Sequence, residues 1–117
     1  MSKKVLIIDD EEDVRKYLAF VLKKSGFETV TAANGEEGLE AARREKPDLI
    51  TLDLLMPNQS GTDFYRNLRR DRELADIPIV VVSGIAGRHL AVTKPVAVFD
   101  KPIDADEFLA AVTQALK

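Results

Sequence analysis

The chain has 117 residues, no cysteine, 17 lysines and arginines against 20 aspartates and glutamates, and a formal net charge of −3. This length suits one domain over residues 1–117 whose hydrophobic core is stable without covalent cross-links. The absence of cysteine excludes disulfides and thiolate metal sites. The acidic balance disfavours direct binding of nucleic acid, and no apolar run is long enough for a signal peptide or a membrane span. A chain without cysteine fits a reducing compartment, so we expect a cytoplasmic protein that does not contact a membrane.

The first half of the chain alternates short apolar runs with segments of helical periodicity. Three runs predict strands, namely VLIID (5–9), the half-polar ETVTAA (28–33) as an edge strand, and DLITLD (48–53). Two segments between them predict helices, namely EDVRKYLAFVLKKSG (12–26), which Gly26 can end, and NGEEGLEAARREKP (34–47).

The second half continues the alternation with one interruption. The pattern predicts a helix over SGTDFYRNLRRD (60–71), strands over IPIVVVSG (77–84) and VAVFDKP (96–102), and a last helix over DADEFLAAVTQALK (104–117), which Asp104 can cap. The interruption is GIAGRHLAVTKP (84–95). Its two glycines and closing proline predict one helical turn or an irregular loop in place of a full helix.

Strands that alternate with helices predict an α/β fold in which parallel strands carry helices on both faces. The continuous apolar run at 79–82 is typical of a strand buried on both sides. We therefore infer a doubly wound, five-stranded parallel sheet with a shortened or irregular fourth helix at 84–95. Phe20, Phe64 and Phe108 are assigned to its core because large apolar side chains are usually buried.

Polar residues stand at the carboxyl ends of four of the five predicted strands. Asp9 and Asp10 follow the first strand, Asp53 ends the third, Ser83 ends the fourth, and Lys101 follows the fifth. Because parallel strands end at one edge of a sheet, these five side chains can converge there.

Three carboxylates at one edge need a neutralising partner. Two unit charges ~4 Å apart repel by about 4 kcal/mol at an effective dielectric constant of roughly 20, and Lys101 offsets only one of the three. Either a carboxyl stays protonated or a metal ion binds, and oxygen ligands without cysteine or histidine favour Mg²⁺. A carboxylate beside Mg²⁺, a lysine and a hydroxyl can also accept a phosphoryl group as an aspartyl phosphate. The pattern alone does not choose which aspartate attacks.

The order of these elements resembles the receiver domain of two-component response regulators, similar to the chemotaxis regulators, over essentially the whole chain. The matching elements are the pair Asp9 and Asp10, DLLMPNQSG (53–61), Ser83 with Gly84, and Lys101 with Pro102. Each is a weak motif by itself, but together, in order and each at the end of its predicted strand, they are specific. The resemblance implies the flavodoxin-like strand order 2-1-3-4-5.

The resemblance implies a magnesium site built on the first and third strands. Asp10, Asp53 and the backbone carbonyl of Leu55 would contact the ion, and Asp9 would help through a water molecule. Such a small set of oxygen ligands is what Mg²⁺ takes when it keeps several of its waters.

The resemblance also implies that Asp53 is the phosphoacceptor. It would take the phosphoryl group from a sensor histidine kinase or a phosphotransfer protein, while Ser83 hydrogen-bonds the group and Lys101 pairs with it. Phosphorylation would shift the domain between inactive and active states for a downstream protein target. On this interpretation the chain is not an enzyme but a signalling module that catalyses at most its own phosphorylation and dephosphorylation.

Other interpretations fit some of the same residues. Asp9 and Asp10 are also good helix-capping residues, and the acids at 11–13 suit the positive end of a helix. One alternative function is a pseudo-receiver, a binding scaffold that never takes phosphate. Another is a phosphatase of the haloacid-dehalogenase type, but such enzymes need a second acid where this chain has Leu55. Flavin binding of the flavodoxin type is disfavoured because no phosphate-binding loop follows the first strand.

Overall fold

The computed structural model describes residues 2–53, 61–82, 97–99 and 103–116. The strands are β1 (Lys4–Ile8), β2 (Glu28–Ala32), β3 (Leu49–Leu52), β4 (Ile79–Val82) and β5 (Ala97–Phe99). The helices are α1 (Glu12–Lys24), α2 (Gly35–Glu45), α3 (Gly61–Arg70) and α4 (Ala105–Ala115). Each element lies within or close to its predicted segment, and the predicted irregular segment 84–95 lies outside the described residues.

The strands form a parallel sheet in the order β2-β1-β3-β4-β5. From β1 the chain passes to one side to form β2 and then to the other side to form β3. The boundary between β1 and β3 is therefore the topological switch point, where open α/β sheets place their sites. The parallel α/β class and the order of the first four strands confirm the prediction, and the short β5 pairs in parallel with β4.

The sheet is covered on both faces, which confirms the doubly wound arrangement. Successive side chains of β1 point to opposite faces, with Leu6 and Ile8 in one core cluster and Val5 and Ile7 in the other. Residues of α2 and α3 complete the first cluster, and residues of α1 and α4 complete the second. Each fully buried side chain of this kind contributes about 1.5–3 kcal/mol, so β1 is held firmly from both sides.

Two helix ends match their sequence signals. The carboxylate of Asp104 accepts a hydrogen bond of 3.0 Å from the backbone N–H of Glu107, as predicted for a capping residue. Gly26 follows α1 with a φ of +93°, a left-handed conformation that side chains rarely adopt, and its N–H donates to the carbonyl of Lys23. The capping roles predicted for Asp104 and Gly26 are therefore confirmed.

The assignment of Phe20 to the core is wrong. The buried face of α1 consists of Leu18, Val21 and Leu22, whereas Phe20 is 64% exposed and Tyr17 is 44% exposed. A helix turns by about 100° per residue, so Phe20 lies about 200° around the axis from Leu18. The assignments of Phe64 and Phe108 are confirmed, since both are fully buried.

The backbone of α2 approaches β1 closely at Gly38. A Cβ atom placed there would lie 2.6 Å from Cδ1 of Ile8 and 3.3 Å from the ring of Phe64. We expect Gly38→Ala to lower the free energy of unfolding by about 1 kcal/mol, because overpacking outweighs the better helix propensity of alanine. Urea denaturation measures this change.

The matched control for that prediction is Ile8→Val, which removes the Cδ1 atom. The double variant Gly38→Ala with Ile8→Val is expected to lose less stability than the sum of the two single losses. Strict additivity would show that this contact is not the cause.

Candidate functional site

Two aspartates lie side by side where β1 and β3 end. The last pair in the register is Ile8 with Leu52, and Asp9 and Asp53 are the residues that follow. The N–H of Asp53 donates to the carbonyl of Ile8 at 3.0 Å, and the N–H of Asp9 donates to that of Ala32 at 3.1 Å. The sheet ladder itself therefore holds the backbone of both aspartates at the switch point.

The side chains of Asp9, Asp10 and Asp53 come together beyond the strand ends. Each offers one carboxylate oxygen that lies within 4.8 Å of those of the other two. Asp9 is 1% exposed and Asp53 is 2% exposed, whereas Asp10 is exposed to solvent. Two unit charges 4.8 Å apart repel by about 3.5 kcal/mol at an effective dielectric constant of roughly 20. The arrangement therefore favours a bound cation.

The donor set fits a hard divalent cation. All three groups offer carboxylate oxygens, the ligands that Mg²⁺ and Ca²⁺ prefer. Two of them are buried and one faces water, which suits an ion that keeps part of its hydration shell, as Mg²⁺ does. Asp9 also uses its Oδ1 atom to accept a hydrogen bond of 2.9 Å from the N–H of Glu11. The N-cap position of α1 is occupied by Glu11, so Asp9 is not the helix cap that the simpler interpretation predicted, and its bond to Glu11 fixes the turn before the helix.

Arg15 holds the turn that carries Asp9. Its guanidinium donates a hydrogen bond of 2.8 Å to the backbone carbonyl of Asp9, and its N–H donates to the carbonyl of Glu11 at 3.1 Å. No motif in the sequence indicates a role for Arg15. The only available signal was a basic residue one turn into a helix that follows an acidic run, which is too common to be specific.

We expect Arg15→Met to loosen the acidic turn. A buried carbonyl that loses its donor costs about 1–3 kcal/mol, and a less ordered Asp9 weakens the cation site. The expected results are a lower free energy of unfolding in urea and a several-fold weaker binding of Mg²⁺ in calorimetric titration. Lys16→Met, at the exposed neighbouring position, is the control and leaves Mg²⁺ binding unchanged. Equal Mg²⁺ affinity in both variants would contradict the role given to Arg15.

Two ion pairs with shifted pKa values lie outside the cluster. On α1, a hydrogen bond of 2.9 Å from Lys16 lowers the pKa of Glu12 and raises that of the lysine. At the amino end of β1, the hydrogen bond between Lys4 and Glu45 lowers the pKa of the Glu45 carboxyl and raises the pKa of the Lys4 ammonium. Glu12 therefore has its own partner on the helix surface, as expected for an acid in the first turn of a helix.

Three predicted site residues, Leu55, Ser83 and Lys101, lie outside the described residues. In the sequence Ser83 directly follows β4, and Lys101 comes two residues after the end of β5. Their roles therefore stay predictions.

Among the described residues, no helix is long and apolar enough to cross a membrane.

The family model for the response regulator receiver domain matches residues 5–113. The chain belongs to this family. Receiver domains are signalling modules that interact with histidine kinases or phosphotransfer proteins, and they generally bind Mg²⁺ at an acidic aspartate cluster. The cluster at the ends of β1 and β3 corresponds to that feature.

Similar proteins support the assignment. The receiver domain is 30% identical over 116 residues to Protein Rrf1 of Nitratidesulfovibrio vulgaris, which covers 99% of this chain and 84% of that protein. It is 40% identical over 83 residues, 71% of this chain, to the alkaline phosphatase synthesis transcriptional regulatory protein PhoP of Bacillus subtilis, of whose length it spans only 34%. A crystal structure of a response regulator receiver protein from Pseudomonas putida superposes with a TM-score of 0.89 at 30% identity, covering 97% of this chain and 98% of that one.

Proposed function

We propose that this chain is a Mg²⁺-dependent phosphoacceptor in which Asp53 takes a phosphoryl group from a sensor histidine kinase or a phosphotransfer protein. The observation that carries the proposal is the cluster of Asp9, Asp10 and Asp53, whose carboxylate oxygens lie within 4.8 Å of one another at the switch point. Such a cluster is costly for the folded state without a cation, so its presence favours a use that needs one.

Asp10, Asp53 and the carbonyl of Leu55 are the groups proposed to hold the ion, with Asp9 acting through water. When bound, Mg²⁺ supplies positive charge that neutralises the oxygens of the transferring group. The hydrogen bonds that Asp9 makes with Glu11 and Arg15 support its role as a fixed part of the site.

The proposed phosphoryl transfer forms one bond to phosphorus and breaks one. An oxygen of Asp53 forms a bond to phosphorus, and the bond from phosphorus to the imidazole nitrogen of the donor breaks, leaving its electron pair on that nitrogen. Lys101 and Ser83 are proposed to bind the oxygens of the new aspartyl phosphate by charge and by a hydrogen bond. Asp53 is 2% exposed, so the donor must be aligned closely with its carboxylate for the transfer.

The new charge on Asp53 would then shift the domain between inactive and active states. A downstream protein in the cytoplasm is proposed to distinguish the two states. The relative PhoP is named a transcriptional regulatory protein. Control of transcription is therefore one class of output that we propose for this receiver domain.

Incubation with Mg²⁺ and acetyl phosphate, followed by intact mass measurement, tests the proposal. We expect one added phosphoryl group on the wild type, none on Asp53→Asn, and none when the metal is removed by chelation. The matched control is Asp76→Asn, which removes an exposed carboxylate from the opposite edge of the sheet and retains the adduct.

Two other outcomes would replace the proposal. A wild type without any adduct would favour the pseudo-receiver scaffold. Steady release of phosphate from an external phosphate ester would favour the haloacid-dehalogenase type of phosphatase, against which Leu55 counts because it occupies the place of the second acid.

A further inference from the structure

A groove lined by basic side chains lies between the carboxyl ends of α2 and α3. Its wall consists of Arg43, Asn67, Arg70, Asp71 and Arg72, and its volume is about 410 Å³. Three guanidinium groups and one carboxylate give this wall a net charge of +2. The groove is remote from the acidic cluster, because α2 and α3 lead into the amino ends of β3 and β4, whereas the cluster lies at the carboxyl ends of β1 and β3. We call this set the α2–α3 groove.

One wall of the groove is a fixed turn that follows α3. The carbonyl of Asp71 accepts hydrogen bonds of 3.0 and 2.9 Å from the N–H groups of Leu74 and Ala75, and Leu74 is 1% exposed. One carboxylate oxygen of Asp71 accepts a hydrogen bond from the N–H of Glu73 at 3.0 Å, and the other accepts one from the guanidinium of Arg43 at 3.5 Å. Asp71 therefore ties Arg43 of α2 to the turn, and its own charge is partly neutralised within the wall.

Two arginines of the groove carry charges that the described part of the chain does not neutralise. Arg70 and Arg72 are exposed, and neither side chain forms an ion pair or a hydrogen bond with another described residue. The neighbouring Arg69, in contrast, donates a hydrogen bond to the hydroxyl of Tyr65. A basic residue in the last turn of a helix stabilises its negative end, which accounts for Arg70. Arg72 lies beyond α3, so the helix dipole does not explain why the two line one groove with Arg43.

We propose that the α2–α3 groove binds a small molecule that carries a phosphate monoester, such as a sugar phosphate. The planar guanidinium fork matches the oxygens of a phosphate group, and a phosphate monoester carries about −1.5 to −2 charges at pH 7. That charge complements the net charge of the groove. The volume lies within the range of roughly 300–1,000 Å³ that is typical of small-molecule sites. The half-buried Asn67 offers an amide that can bind a sugar hydroxyl.

The charges of the groove select this class of ligand over others. Three guanidinium groups repel a cationic partner, and a carboxylate presents only two oxygens, which suit one guanidinium fork. A phosphate monoester presents three acceptor oxygens and can therefore use more than one arginine. A nucleic acid is disfavoured because the chain as a whole carries a net charge of −3, which repels a long polyanion outside the groove.

Titration of the isotope-labelled full chain with ribose 5-phosphate, followed in amide NMR spectra, tests the proposal. The buffer contains a chelator, so that no metal ion draws phosphate to the acidic cluster. We expect saturable shifts in the amides of residues 67–73 and none in those of Asp9 and Asp10. Ribose, which lacks the phosphate, and succinate, which carries two carboxylates, should bind at least about tenfold more weakly.

Three results of this titration would overturn the proposal. The first is an absence of saturable shifts at the groove. The second is binding of succinate as tight as that of ribose 5-phosphate, which would show a site for acidic groups in general. The third is tighter binding of a peptide with one phosphoserine, which would show a docking site for a modified protein.

Substitution of the exposed arginines locates the site without disturbing the core. Arg70→Gln combined with Arg72→Gln should weaken binding of ribose 5-phosphate at least about tenfold, because two charged donors are lost. Arg70→Lys combined with Arg72→Lys keeps the charge but removes the planar forks, and binding should weaken several-fold. The matched control is Arg44→Gln combined with Arg69→Gln, which removes the same charge from exposed arginines outside the groove wall and should retain the affinity.

Equal losses in the two glutamine variants, or a lysine variant that binds like the wild type, would show a diffuse positive surface and contradict a specific site. The proposal does not rest on the phosphoryl transfer, because the titration needs neither Mg²⁺ nor Asp53. A failure of either proposal is therefore recognised separately.

Discussion

Phe64→Ala is expected to lower the free energy of unfolding by about 3–5 kcal/mol, a large part of the 5–15 kcal/mol typical of a whole domain. Phe64 is fully buried and belongs to the core cluster between the sheet and the helices α2 and α3. Its ring lies near Gly38, which packs against Ile8. Because α2 already approaches β1 closely at Gly38, the surroundings cannot collapse far into the space that the ring vacates, so most of the cavity cost remains.

Phe20→Ala removes the same atoms from an exposed position and is the control for Phe64→Ala. Phe20 is 64% exposed, so its truncation is expected to cost less than about 1 kcal/mol. Both losses are measured by urea denaturation. Similar losses for the two variants would contradict the assignment of Phe64 to the core and of Phe20 to the surface.

The acidic cluster could be predicted from sequence because parallel strands end at one edge. Asp9 and Asp53 each directly follow an apolar run, and the register of β1 and β3 places them side by side. Residues that are 44 positions apart therefore meet for a reason that sequence already contains. Their burial, at 1% and 2% exposure, could not be predicted, because it depends on the packing around the switch point.

Other features needed the three-dimensional arrangement. The exposure of Phe20 is an exception, because Phe20 lies about 200° around α1 from the buried Leu18, so periodicity could have predicted it and the core assignment failed by using residue type alone. Arg15 binds a backbone carbonyl, which leaves no trace in a pattern of side chains. Gly38 marks a close approach of α2 to β1, whereas a glycine inside a helical pattern usually only weakens the prediction of a helix. The roles of Ser83 and Lys101 stay predictions.

The second large effect expected is a dependence of stability on Mg²⁺ that Asp10→Asn removes. A ligand that binds only the folded state stabilises it, by about 1.4 kcal/mol at a free concentration ten times its dissociation constant. The wild type should therefore unfold at a higher temperature with Mg²⁺ than with a chelator. Asp10 belongs to the cluster and faces solvent, so its replacement by asparagine removes one charge without opening a cavity.

In the chelator, Asp10→Asn should unfold at a temperature about 2–4 °C higher than the wild type, because one source of repulsion among the three carboxylates is gone. With Mg²⁺ the order should reverse, since the variant lacks a ligand and gains little from the ion. Asp76→Asn should respond to Mg²⁺ as the wild type does. If Asp10→Asn were less stable than the wild type in the chelator, the carboxylates would not be repelling one another, and a proton or a fixed cation would already neutralise the cluster. The sign of the difference in unfolding temperature between Asp10→Asn and the wild type in the chelator therefore separates two cases. In one the site needs a metal ion, and in the other the protein itself neutralises the charges of the cluster.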